Sequence, residues 1–182
     1  MRKFSMLSPQ SLSEADRRIV AGWAADCAER VLDLFEAEQP ADPRPRDAIA
    51  RARAFARGEL DPAGEIRRRF IAGRAANAVT SAQAVAAARA TAQASGVAHM
   101  GAHALGAAAY ASKAVGIAAE DQPSAASDEI TWQLEHMTPE VRTALRQLPA
   151  LGENSSGPLG PGLLASGALG FAIRTIQATL AR

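Results

Sequence analysis

From Thr91 to Ser112 the chain runs without a single Asp, Glu, Lys or Arg, and nearly every side chain in that stretch is small. As a helix it would be apolar on all sides, with no face to give to water. That places it in the middle of a bundle, with other helices wrapped about it. A helix over about Val97 to Ala119 would carry Gly101, Gly106 and Gly116 inside it. Each costs roughly 1 kcal/mol against Ala, so something is expected to approach this helix closely. A membrane span is the competing reading of an uncharged run, but Ala and Gly gain little from lipid, and His99 and His103 lie inside the run. The segment is therefore read as a protein core, with no membrane partner.

The rest of the chain agrees with helix. Alanine makes up about a quarter of the 182 residues, while Val, Ile, Tyr and Phe are scarce, which favours helix over sheet. A first helix is predicted over Glu14 to Phe35, capped by Ser13, with Ile19, Trp23, Cys27, Val31 and Leu34/Phe35 recurring at helical spacing. A second starts at Pro45 and stops at Gly58, and a third runs from Asp61 and Pro62 to about Asn77. Thr80 with Gln83 reads as a capping box for a fourth, ending near Gly96 just before the central helix. Ile130, Leu134 and Met137 mark a sixth, and Thr138 with Pro139 opens a short seventh. The expected fold is all-α, a single bundle of about seven or eight helices around the Ala/Gly-rich helix. Its core is centred on Trp23, Phe55, Phe70, Leu105 and Tyr110. The expected division is a bundle domain over 1–150, a Gly/Pro/Ser linker over 151–162 and a C-terminal helix over 163–182 that docks on the bundle or on a partner.

Composition narrows the function classes. Lys+Arg 20 against Asp+Glu 19 gives a net charge of +1, so no basic field exists to drive nucleic-acid binding. The single cysteine, Cys27, excludes an internal disulfide and a cysteine-rich zinc site. The N-terminus MRKFSMLSPQSLSEADRR has two early positive charges but no apolar stretch behind them, unlike a signal peptide. A cytoplasmic protein is the expectation.

Among residues with chemistry, His99 and His103 stand four apart and would share one face of a helix, the spacing a divalent metal uses. The intervening Met100, Gly101 and Ala102 depart from the HExxH pattern and no third ligand is near in sequence, so buried, hydrogen-bonded histidines are expected rather than a metal site. Asp26 on helix 1, beside Trp23 and Cys27, would need a cationic partner if buried. Cys27 is read as an inert core thiol, and Arg67, Arg68 and Arg69, pointing three ways, as solvated or locally paired rather than as an anion site. No nucleophile elbow, phosphate loop or dinucleotide fingerprint occurs, and no catalytic residue, metal ligand or cofactor is assigned.

Four strings carry a resemblance: WAADCAERVLDLFE from Trp23, DPRPRDAIARARAFARGEL from Asp42, AHMGAHALGAAAYASKAVG from Ala98 and TWQLEHMTPEVRTALRQLP from Thr131. Over most of the chain up to about Pro149 the sequence resembles a family of bacterial proteins labelled "putative immunity protein", akin to immunity proteins of polymorphic toxin systems. The resemblance implies a small helical intracellular protein that binds and neutralises a protein toxin. Its polar positions in this sequence are Asp26, Arg30, Asp42, Arg44, Arg46, His99, His103, Tyr110 and Trp132, and Trp23 joins them as a partner-binding candidate. Two rivals stay open. One is a small helical enzyme or ligand carrier with a pocket between helix 1 and the central helix, where His99, His103 and Asp26 converge. The other is an oligomerisation module that pairs through the C-terminal helix.

Overall fold

Helices made of alanine gain little per side chain and need close neighbours along their whole length. The structure, a computed structural model that describes residues 7–182, supplies them. Arg2 and Lys3, on which the N-terminal reading partly rested, lie outside the described residues. In chain order the helices are α1 (Glu14–Glu29), α2 (Leu32–Glu36), α3 (Arg44–Ala56), α4 (Pro62–Arg68), α5 (Ile71–Arg74), α6 (Ala82–Gly96), α7 (His103–Ala118), α8 (Ala125–Glu135), α9 (Pro139–Arg146) and α10 (Gly167–Leu180). Short 3-10 turns occupy Ala75–Ala78 and Leu163–Ala165. Among the described residues there is no strand, and no helix is long and apolar enough to cross a membrane.

The all-α bundle around an Ala/Gly-rich helix is what the structure shows. Every residue of α7 from Ala104 to Ser112 is buried, and α1, α6, α8 and α10 all pack on this helix. Its tightest neighbour is α6, whose Ala84, Ala86, Ala87, Ala88, Ala90 and Ala94 are buried. Larger side chains fill the space around this alanine seam: Trp23, Phe35, Phe55, Leu105, Ile173 and Ile176 are all buried. The local start and stop signals act as read. Ser13 accepts from Asp16 N and Thr138 from Val141 N, and Gly58 follows α3 with φ +80°, the left-handed conformation that ends helices.

The long helices of the sequence reading are broken, each time by a partner distant in sequence or by a locally rerouted carbonyl. The central helix begins at His103, not Val97, because Gly101 N and Ala102 N donate to the carbonyls of Ser11 and Gln10 at 2.9 and 3.0 Å. Gly101 allows that approach: a Cβ there would lie 2.5 Å from Leu12 Cδ1. The buried Gln10 side chain then reaches forward, donating to Ser156 O at 2.8 Å and accepting from Leu159 N at 2.9 Å. This ties the N-terminal segment to the Gly/Pro-rich loop before α10. The first helix divides near Val31, whose φ of −118° and ψ of 4° leave the helical well. The third divides at Arg69, whose guanidinium donates to Ile66 O at 2.6 Å and so serves the last turn of α4. That break turns Phe70 outward to 59% exposure, so Phe70 is not the core residue that its spacing implied. Ile19 and Phe171, placed on apolar stripes, are also exposed. The cap of α6 differs too. Ser81 is its N-cap, while Glu38 accepts from the backbone and hydroxyls of both Thr80 and Ser81. Those bonds hold its carboxyl down at about 2.

Gly106 is the tightest point of the α6–α7 contact, where a Cβ would fall within the Gln93 side chain. Gly106→Leu is therefore expected to lose about 1 to 3 kcal/mol through overpacking, although leucine is the better helix former. Urea unfolding measures it, and an unchanged midpoint would mean that this face yields freely.

Candidate functional site

Two of the concavities among the described residues gather the sequence-predicted histidines, Asp26, Arg30 and Trp132. The larger, about 500 Å³, runs between the α4–α5 segment and the end of the α6–α7 hairpin. One wall carries Arg69, Phe70, Gly73, Arg74 and Asn77, and the other Ala92, Gln93, Gly96, His99 and His103. His99 sits exposed in the turn and His103 opens α7, so the two do not share a helix face. The turn nevertheless delivers both to the same cleft. Gln93 Oε1 lies 2.8 Å from His103 Nδ1, which puts the proton of the neutral ring on Nδ1 and leaves a lone pair on Nε2. Glycine makes room on both sides of this pair. A Cβ on Gly96 would come within 2.9 Å of the His103 ring, and one on Gly106 would displace Gln93. Burial first, then the charges of His99 and Arg69, push the His103 pKa down to about 4.

No lining residue of this cleft is Asp or Glu. Among the described residues neither Arg69 nor Arg74 is ion-paired, whereas Arg18, Arg30, Arg44, Arg46, Arg51, Arg53, Arg57 and Arg68 each are. The Arg69 guanidinium lies 4.4 Å from the centre of the exposed Phe70 ring, a cation–π contact at the cleft mouth. The surface thus offers one uncovered aromatic ring beside two guanidinium groups without a carboxylate partner among the described residues, one of them, Arg69, also bonded to Ile66 O.

The second concavity gathers Asp26, Glu29, Arg30, Arg53, Trp132 and His136. Here the charges are satisfied. Arg53 bonds both Asp26, at 2.8 Å, and Glu29, while Arg30 grips the buried Glu129 through two bonds of 3.0 Å. The Arg30 guanidinium lies 4.2 Å from the Trp132 ring, and Trp132 stacks on His136 at 3.9 Å and 18°. Asp26 and the two histidines therefore line different concavities, and the convergent pocket between helix 1 and the central helix does not form.

The remaining sequence candidates are dispersed. Trp23 is buried, with its Nε1 donating to Gln133 O at 2.9 Å. Arg44 pairs with Asp42 and Arg46 with Glu36, both at the surface, where such pairs are worth little. Tyr110 is buried and reaches a groove next to the cleft, shared with Gln93, His103, Pro158 and Leu163. Cys27 is fully buried, and burial together with Asp26 and Glu129 raises its thiol pKa well above the ordinary value. Among the described residues no three His, Cys, Asp or Glu side chains gather as a metal site would require.

A family model described as "Imm-5 like putative immunity protein" matches residues 10–140. This chain belongs to that family. The match begins at Gln10, which fastens the turn bearing His99, and it contains every residue lining both concavities. It ends before the loop fastened by Gln10 and before α10, so neither of those later segments supplies a lining residue of the larger cleft. No curated protein and no solved structure matches the chain.

The sequence reading set Arg69 aside as solvated or locally paired, placed Phe70 in the core, and did not single out Arg74, Asn77 or Gln93. One signal could have found them: from Ile66 to Ala119 the chain contains no Asp or Glu, yet carries Arg67, Arg68, Arg69, Arg74, Arg89 and Lys113. A near-neutral total hides this local imbalance.

Proposed function

We propose that this immunity-family protein binds and neutralises a protein toxin, and that the cleft mouth around Phe70 is the surface that meets it. The observation that carries the reading is Phe70, 59% exposed beside two arginines that have no carboxylate partner among the described residues. An exposed aromatic ring and arginine next to a concave pocket are the residue types on which protein interfaces concentrate their binding energy. The Arg30–Trp132–His136 stack is the weaker alternative, because its cations already spend their bonds on Glu129, Asp26 and Glu29.

Protection of cells is the direct assay. The wild-type chain should restore growth to cells that express its cognate toxin, sought first among the products of the neighbouring genes. Phe70→Ala should bind that toxin at least about 30-fold more weakly, the effect of losing an anchor worth 2 kcal/mol or more. Since Phe70 packs little on the core, the same variant should stay within about 0.5 kcal/mol of wild-type stability. Full protection by Phe70→Ala would move the contact surface elsewhere, and absence of protection by the wild type would remove the neutralisation reading.

A further inference from the structure

We infer that the cleft receives one carboxylate side chain of the protein partner, between Arg69, Arg74 and His103, and that His103 takes a proton from solvent as the carboxylate enters. The inference rests on the cleft being the partner-binding surface, and it names the chemistry that the surface selects. Every polar group presented there is a donor or can become one: Arg69 at the end of α4, Arg74 on α5, Asn77 on the 3-10 turn, Gln93 on α6, His99 in the turn and His103 on α7. A site lined by cations with no anion of its own is incomplete until an anion arrives, and Asp and Glu are the anions that a protein surface supplies. Phe70 beside Arg69 would cover the apolar stem of such a side chain at the mouth.

The part played by His103 follows from its bonds. Nδ1 is committed to Gln93 at 2.8 Å, so Nε2 is the nitrogen available to an incoming group. Burial disfavours a proton there and the charges of His99 and Arg69 add to the cost, which holds the pKa at about 4. A carboxylate reverses the sign of the local field. The Nε2–H bond then forms with a solvent proton, Nδ1–H still donates to Gln93, and the imidazolium faces a carboxylate. Binding and protonation are therefore linked, and each must strengthen the other.

A blocked glutamate, N-acetyl-glutamate amide, is the probe, titrated at constant ionic strength while the imidazole carbon-bound protons are followed by nuclear magnetic resonance. Blocked glutamine and inorganic phosphate serve as comparison ligands. The expected result is saturable shifts at His99 and His103 with glutamate and none with glutamine. The His103 titration should rise from about 4 toward the ordinary imidazole value of about 6.5. Affinity should increase about tenfold between pH 7.5 and 5.5. Arg74→Gln, an exposed position whose change leaves the core intact, should weaken binding. Equal binding of glutamine, affinity that does not change with pH, or tighter saturation by phosphate would each overturn the inference. Because the probe is a small molecule, a failed titration leaves the protection assay standing, and failed protection leaves the titration readable.

Discussion

Trp23→Ala is expected to lower the free energy of unfolding by about 3 to 5 kcal/mol, the usual cost of emptying a buried aromatic site. Trp23 is 2% exposed, and its loss removes more than volume. Its Nε1 donates to Gln133 O at 2.9 Å, and the Gln133 side chain in turn donates to Ala108 O at 3.0 Å. This buried chain joins α1, α8 and the central α7. A domain holds only about 5 to 15 kcal/mol in total, so the variant should unfold at much lower urea concentration or fail to accumulate. Trp23→Phe, which keeps most of the volume and drops one hydrogen bond, should cost nearer 1 kcal/mol. A Trp23→Ala loss below that would show that the tryptophan does not anchor α1.

The second large effect is a loss of stability in mild acid that depends on His103. Its folded pKa of about 4 lies below the ordinary value of 6.5. The unfolded chain therefore binds the proton first, and the stabilisation is complete only above about pH 6.5. As pH falls from there toward 4 the folded state loses up to about 3 kcal/mol relative to the unfolded. The carboxylates with depressed pKa values, such as Glu38 at about 2, keep their stabilisation down to their own unfolded values, 4.5 for Glu38, and lose it only below them. The interval from pH 6.5 to 4.5 consequently belongs to the histidine. Urea midpoints for the wild type should decline across that interval, whereas His103→Gln, which cannot titrate, should give a flat profile there. A wild-type midpoint that stays level to pH 4.5 would place His103 in contact with solvent.

The two effects differ in how far the sequence announced them. Trp23 recurs with Cys27 and Val31 at helical spacing, and spacing of that kind is read correctly because a helix presents its face whatever packs on it. The histidines were picked out for the wrong geometry: four apart on a helix, they would share a face, yet the helix starts only at the second of them. They line one cleft because Gln10 and Ser11, far away in sequence but adjacent in the fold, take the backbone donors of Gly101 and Ala102. Phe70 shows the same limit from the opposite side. Its apolar character read as core, but Arg69 took the carbonyl of Ile66, the helix stopped, and the ring emerged at the surface.

By itself the sequence determined the helical class and the central place of the charge-free alanine stretch. It also determined the caps at Ser13 and Thr138 and the family to which the chain belongs. These are local properties, set by side-chain size, propensity and hydrogen bonds within a few residues. Tertiary structure alone decided where the long helices break, which arginines find a carboxylate, and that His103, Gln93, Arg69, Arg74 and Phe70 meet around one cleft. A backbone amide or a guanidinium takes whichever acceptor the fold brings within about 3 Å, and for Gly101, Ala102 and Ser81 those acceptors come from Ser11, Gln10 and Glu38, dozens of residues away.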